Sequence, residues 1–348
     1  MKVLFNVTLC ELEDKINRQI LVDEDILLTD LCEYVIVSMD GKKIPIYELE
    51  YGKIIYWPYD IEESRYDKTL LELTLKSLNL KKGKSFCIRY NFDNFYYFDL
   101  SVDNFIEEDN GNKNVDFKVL SGKGYGIIED KMCGYLVALF AEKRKDYDSY
   151  YLKSEKEYLQ KRFDVNEVND RIDDYKKSKE DMLLPKKYIF YVSLEGFNKE
   201  IKRKISVNSN ITINRFCEKV VLSMNGDLSH PFDVKIGKEY LGEYYSGLEL
   251  FYLNLKEKNK LKVIYDWGDN WQFNLTLSKI THGTSENEFE VLSGKGYGII
   301  DDCGGVWTLG DIFSGENTDW GDYDINEFNL EKCNEDVQKI QDKRMKNF

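Results

Sequence analysis

FEVLSGKGYGII at residues 289–300 repeats FKVLSGKGYGII at 117–128 with one change in twelve positions, at an offset of 289 − 117 = 172. Working outward, the match continues in both directions. YDWGDNWQFNL (265–275) lines up with YNFDNFYYFDL (90–100), at an offset of 175. FCEKVVLSMNG (216–226) lines up with LCEYVIVSMDG (31–41), at an offset of 185, and six of those eleven positions are identical. KYIFYVSL (187–194) resembles KVLFNVTL (2–9), and FNLEKCNE (328–335) resembles FDVNEVND (163–170). The order is kept while the offset drifts, which is the mark of a tandem duplication. A period near 170 residues is too long for a solenoid unit, so each copy reads as a domain. The expected domains are residues 1–180 and 187–348. Pro185 disfavours helix at Leu184 and marks the restart.

Within one copy the pattern changes twice. Val3, Phe5, Val7 and Leu9 alternate as a strand does, and INRQILV (16–22) follows a short turn, so the start reads as a hairpin. A helix follows, with Thr29 or Asp30 as its cap, Leu31 and Val35 at helical spacing, and Gly41 where a C′ glycine belongs. IPIYELEY and KIIYWPY read as strands, 69–79 as a helical stretch, and SFCIRYNF with YYFDLSV as an antiparallel pair. Hairpin, helix, then further strands is an α+β pattern. It looks like a β-grasp arrangement, one helix over a mixed, curved sheet, twice in tandem. Each copy ends in a charged helical segment; residues 151–180 carry many opposite charges four apart.

The chain has 348 residues, enough for two domains. Its charge is 49 − 63 = −14, and 42% of its residues are hydrophobic. That excess of acid argues against direct nucleic-acid binding and against adhesion to anionic membranes. No apolar stretch is long enough for a membrane helix, and MKVLFNVTLC runs straight into ELEDKINR, unlike a signal peptide. The seven cysteines have no pair two residues apart, which fits free thiols in a reducing cytoplasm. The expected location is cytoplasmic.

The most distinctive residues lie in the second copy: Tyr265, Asp266, Trp267, Gly268, Asp269 and Trp271, then Asp302, Cys303, Gly304 and Gly305, then Phe328 and Asn334. These resemble the plasmid pRiA4b ORF-three-like family, some of whose members travel as insertion-element passengers. The resemblance covers most of 187–340 and, more faintly, 2–175. It implies a mobile-element origin and supplies no activity. Where the family has a His two residues after the Trp, Phe273 stands here; of its His-Leu-His run only Ser229, His230 and Pro231 echo it. In the first copy, Asn91, Asp93 and Tyr96 stand at the places of Asp266, Gly268 and Trp271.

Three features are candidates for function. The first is the acidic set Asp266, Asp269, Asp301, Asp302, Asp311, Asp319, Asp322 and Asp324, of which the first copy retains only Glu129 and Asp130. Hard divalent ions want several oxygen ligands, and Asp266, Asp269 and Asp302 are the metal candidates; the same residues also serve turns and caps. The second is the loop SGKGYG, with Lys295 and Tyr297 as anion- or partner-facing residues, against a purely structural bulge. It lacks the strand–GxxxxGK–helix setting of a P-loop. The third is the aromatic set Tyr265, Trp267, Trp271, Trp307 and Trp320, a recognition surface or core; Trp267 and Trp271, four apart, would share a face of a strand. His230 and His282 fall in different loops, where a histidine is ordinarily solvated. No cofactor motif is present. The reading favours a non-enzymatic acidic module that binds a protein partner, for instance an inhibitor of a nucleic-acid enzyme or a host defence protein. The alternative is a divalent-metal-dependent hydrolase acting on a phosphodiester or nucleotide.

Overall fold

The computed structural model describes residues 1–10, 12–41, 47–58, 68–70, 72–91, 96–107, 115–127, 162–237, 239–242, 247–317, 319–321 and 323–345. Glu129, Asp130, Cys133 and Asp322 lie outside them, as do Asp93 and all of 151–161. The chain divides into two compact units, Met1–Glu180 and Asp181–Phe348.

In unit 1 the hairpin β1 (Lys2–Leu9) and β2 (Asn17–Asp23) leads to α1 (Leu28–Ser38). Then come β3 (Tyr47–Tyr51), β4 (Ile54–Trp57), β5 (Lys68–Thr69), β6 (Ser85–Tyr90), β7 (Tyr96–Ile106), β8 (Phe117–Lys123) and α2 (Val165–Leu183), whose last residues open the second unit. Unit 2 repeats this with β9 (Lys186–Leu194), β10 (Lys202–Asn208), α3 (Ile213–Ser223), β11 (Phe232–Ile236), β12 (Glu239–Tyr240), β13 (Lys260–Tyr265), β14 (Trp271–His282) and β15 (Phe289–Lys295). It ends in α4 (Gly305–Ser314) and α5 (Leu330–Met345). The sheets run β5-β4-β3-β6-β7-β1-β2-β8 and β12-β11-β13-β14-β9-β10-β15, the same order apart from β5. Both units are α+β.

The strands alternate buried and half-exposed residues, so each sheet presents one apolar face to its helix. Phe216 of α3 meets Phe190 of β9 at 5.5 Å, and Tyr34 of α1 meets Phe117 of β8 at 5.5 Å, edge to face. Each such buried side chain contributes about 1.5–3 kcal/mol. Bulges recur at matching points: Ile20 pairs with Val119 and Gln19 with Ser121, as Ile205 does with Val291 and Lys204 with Ser293. The skipped residues are Leu120 and Leu292, both exposed.

Four local expectations are corrected. Residues 69–79 form no α-helix but the end of β5 and a 3₁₀ turn at Leu75–Leu78; an αL residue, Asn79, stops it. α1 starts from Leu27 with no side-chain cap, so neither Thr29 nor Asp30 caps it; Thr212 does cap α3, accepting from Arg215 N at 3.3 Å. The left-handed residue after the helix is Asp40 (φ 65°) and, in unit 2, Asn225 (φ 67°). Gly41 and Gly226 are needed for close packing instead: a Cβ there would lie 2.3 Å from Ile36 Cγ2 and 2.4 Å from Val221 Cγ1. The sheets are also less mixed than expected. β9 and β14 pair antiparallel, as do β1 and β7, and the parallel pairing among the described strands is β4 with β5.

Candidate functional site

The duplicated SGKGYG loop wraps a buried arginine. Arg203 points inward from β10, on the same face as Ile205 and Val207. Its Nε donates to Ser223 O (2.7 Å), Nη1 to Lys202 O and Lys295 O (3.0 and 2.8 Å), and Nη2 to Tyr297 O (3.0 Å). The guanidinium lies 4.4 Å from the centre of the Phe328 ring. Arg18 repeats this in unit 1: it donates to the carbonyls of Ser38, Asn17, Lys123, Gly124 and Tyr125, and Phe163 covers it at 4.5 Å. The glycines follow from this crowding. A Cβ on Gly294 would lie 2.5 Å from Phe328 Cζ, one on Gly296 2.4 Å from Glu200 O, and one on Gly298 2.2 Å from Met224 O. Asn334 adds a third element. Its side chain accepts from Val291 N (2.8 Å) and donates to Val291 O (2.9 Å), acting as a missing strand along β15; Asn169 does the same to Val119 of β8. The loop is therefore structural. Lys295 and Tyr297 contribute carbonyl oxygens to Arg203, and the Tyr297 ring packs on Tyr323 at 5.1 Å.

Three other loops of unit 2 converge at one end of its sheet. Tyr265 and Trp271 pair across β13 and β14 and are both buried. Neither can belong to a docking surface, and Trp267 does not share a face with Trp271: it stands 57% exposed in the turn between the strands. That turn is tight because Asp266 (φ 53°) and Asn270 (φ 54°) are left-handed, a conformation Asp and Asn tolerate. Asp266 Oδ1 accepts from Gly268 N at 2.8 Å, and Asp266 N donates to Pro231 O at 3.0 Å. The second bond fixes the turn against the residues before β11.

Those residues carry His230. Its Nε2 lies 3.0 Å from Asp302 Oδ1 and 3.7 Å from Asp266 Oδ2. One ligand atom from each of His230, Asp266 and Asp302 falls within 4.8 Å of the others. Asp269, expected as a third carboxylate ligand, is not among them; its Oδ2 accepts from Gly304 N at 3.1 Å. Asp301 and Asp227 stand behind. Asp301 Oδ2 accepts from Asp227 N (2.8 Å), and Asp227 Oδ1 accepts from Ser229 N (2.8 Å) and Tyr265 OH (3.2 Å). Burial holds the Asp301 carboxyl above the usual carboxylate range, and the bonds from Ser229 hold Asp227 below it. At His230 partial desolvation is outweighed by the hydrogen bond to Asp302 and the charges of Asp266, Asp302 and Asp301, so its pKa is raised. Burial lifts the Cys303 thiol to about 11, which makes it a poor nucleophile.

Trp307 sits in the first turn of α4 and is 90% exposed; Trp320 is also exposed. Asp311, Asp319 and Asp324 are exposed and serve local turns and helix carbonyl bonds: Asp324 Oδ1, for example, accepts from Asn326 N at 2.8 Å. His282 is exposed at the end of β14.

Sequence reasoning missed the buried arginines and the role of His230. For the arginines a signal exists: Arg18 and Arg203 are 185 apart and alternate with Ile20 and Ile205 on the inward face. For His230 there is none, because its partners come from turns 36 and 72 residues away, at Asp266 and Asp302. In unit 1 Asn91 occupies the place of Asp266, with φ 55° and similar burial.

Among the described residues no helix is long and apolar enough to cross a membrane. No curated protein matches the sequence. A solved structure from Methanosarcina mazei Go1, a protein of unknown function, is similar over 43% of this chain and 98% of its own, with 22% identity and a TM-score of 0.38. The sequence pattern of the plasmid pRiA4b ORF-3-like proteins matches residues 2–171 and again residues 186–332. The chain thus belongs to the plasmid pRiA4b ORF-3-like protein family and carries the family's unit twice in tandem.

Proposed function

We propose that unit 2 is a divalent-cation-dependent module, with His230, Asp266 and Asp302 as the protein ligands. The observation that carries this reading is their convergence within 4.8 Å from three separate loops. One imidazole and two carboxylates suit borderline ions such as Mn²⁺ and Zn²⁺ better than Ca²⁺. Three protein ligands leave positions open for water or substrate, and a cation so held polarises a bound oxygen and activates water, which is hydrolytic chemistry. Thermal unfolding of the full chain with Mn²⁺, Zn²⁺, Mg²⁺ and Ca²⁺ tests it. A cation at 100 times its dissociation constant adds about 2.7 kcal/mol. The expected result is a saturable rise with Mn²⁺ or Zn²⁺ that Asp266→Asn removes. No rise with any of the four ends the proposal.

A second reading rests on the charge of −14 and on the 70% exposed Asp302 side chain. In it the acidic rim docks on a basic protein partner, as an inhibitor of mobile-element or phage origin would. Association would then be fast and salt-sensitive, and indifferent to chelators.

A further inference from the structure

One face of the unit 2 sheet carries charge opposite in sign to the chain. α3 packs on the other face, through Phe216 and Phe190. Side chains pointing away from α3 form rows across the strands, because the register sets them directly opposite one another. One row runs Lys235 (β11), Lys262 (β13), Asn274 (β14), Ser193 (β9), Lys202 (β10) and Lys295 (β15). Five strand spacings of about 4.8 Å make it about 24 Å long. The next row holds Lys260, Thr276, Tyr191, Lys204 and Ser293. Lys262 pairs with Glu195; among the described residues the other five lysines form no ion pair. Exposed rings stand between them. Tyr191 is 54% exposed, with Lys204 Nζ 5.7 Å from its ring centre. Tyr240, opposite Lys235 on β12, is 51% exposed and lies 4.8 Å from Lys235 Nζ and 6.4 Å from the Trp267 ring.

The fold does not require these lysines. Unit 1 builds the same two rows in the same register. One holds Glu50, Cys87, Asp99, Thr8, Asn17 and Lys123, the other Ser85, Ser101, Asn6, Gln19 and Ser121. One lysine stands where unit 2 has six. In unit 2, moreover, Lys235 faces Lys262 and Lys202 faces Lys295, and like charges directly opposite weaken a sheet. A bound anion offsets that repulsion.

We infer that this face binds single-stranded nucleic acid, with phosphates along the lysine rows and bases on Tyr191 and Tyr240. The net charge of −14 argues against a polymer that wraps the whole molecule. It does not govern this face, because salt screens each charge within about 8 Å and a strand laid here meets the lysines first. An acidic peptide would satisfy the lysines and leave the rings unused. A duplex would offer those rings no free base. The site needs no divalent ion, so it stands or falls apart from the cation reading above.

Fluorescence anisotropy of a labelled oligothymidylate of about 12 nucleotides, with the full chain in EDTA, tests this. Saturable binding is expected, tighter than that of polyglutamate or of a duplex of similar length. Lys202→Asn with Lys204→Gln introduces the side chains that unit 1 carries at Asn17 and Gln19, which the same backbone accepts. It is expected to weaken binding and to reduce the slope of log affinity against log salt by about 1.4, at about 0.7 per lost phosphate contact. Tyr191→Ala is expected to weaken binding about tenfold and to leave the slope unchanged. Asn17→Ala with Gln19→Ala, at the matching places of unit 1, is expected to change neither. Absence of binding at low salt overturns the inference. So does binding that the lysine pair or Tyr191→Ala leaves unaltered. Polyglutamate bound as tightly as the oligonucleotide assigns the face to an acidic protein and overturns it too.

Discussion

Units 1 and 2 agree where the chain must fold and part where it could act. Both keep the inward arginine, the ring above it, the three glycines of the loop beneath it and the asparagine that caps the edge strand. Only unit 2 has an imidazole, since both histidines of the chain lie there, and only it sets a carboxylate at the left-handed start of the strand turn, where unit 1 has Asn91. Arginine, glycine and asparagine satisfy backbone groups that any copy of this sheet exposes at its edge. Of the His–Asp cluster only Asp266 also serves the backbone, accepting from Gly268 N in the strand turn, and unit 1 forms its turn with Asn91 instead. Repetition inside one chain thus separates a structural loop from a candidate site more sharply than loop composition does.

The comparison breaks first at the arginines. Arg203→Leu removes four hydrogen bonds to backbone carbonyls, and Arg18→Leu removes five. Each substitution is expected to cost about 3–5 kcal/mol, because four or five hydrogen bonds worth about 1 kcal/mol each are lost together. Urea unfolding of the two variants measures it. A near-neutral result in one unit and a large one in the other would show that the shared architecture does not carry the same load twice.

The glycines come next. Gly298→Ala drives a methyl to 2.2 Å from Met224 O, and Gly126→Ala to 2.4 Å from Met39 O, each at a positive φ. About 2–3 kcal/mol is expected for each. Gly283→Ala, left-handed but with open space around it, is the control and should cost about 1 kcal/mol. Equal costs at all three would mean that backbone conformation matters here and the close approach does not.

Much of this was legible in the sequence. Strand alternation, the helix at 31–41 and the offsets 185, 175, 172 and 165 give the order of elements and the duplication. Those signals are local, or are repeated in the chain itself. The direction in which β14 meets β9 is neither, because nothing in Phe273 or Leu194 says which way the partner runs. Nor did SGKGYG reveal what it surrounds. Its glycines give way to an arginine some 90 residues earlier, and glycine names a need for space without naming what fills it. The acidic residues were visible as a set, but their sorting was not. Asp266 and Asp302 face His230, Asp269 ties down α4 through Gly304, and Asp301 receives the amide of Asp227.

Asn169→Ala and Asn334→Ala test the edge caps. Each removes two hydrogen bonds to one residue of the outer strand, and the expected loss is about 1–2 kcal/mol. Hydrogen exchange at the Val119 and Val291 amides reads the same event locally, and both should open faster than in the wild type. Unchanged exchange would mean that the side-chain bonds do not hold the edge.

The smallest effect is the pH dependence at His230, and it tells an ion pair from a cation ligand. The folded pKa is raised above the ordinary 6.5, so the folded state holds the proton more tightly than the unfolded chain. The stabilisation is complete below about pH 6.5 and is lost as pH rises through the folded value. In the absence of divalent ions the wild-type unfolding midpoint should therefore fall slightly across neutrality, and the fall should vanish in His230→Gln. It should survive in His282→Gln, whose side chain lies exposed at the end of β14. Parallel curves for wild type and His230→Gln would remove the imidazolium from the cluster. With Mn²⁺ present the slope should reverse, because a ligating imidazole must first lose its proton and cation affinity then climbs over the same interval. A cluster that only pairs charges has no means of reversing it.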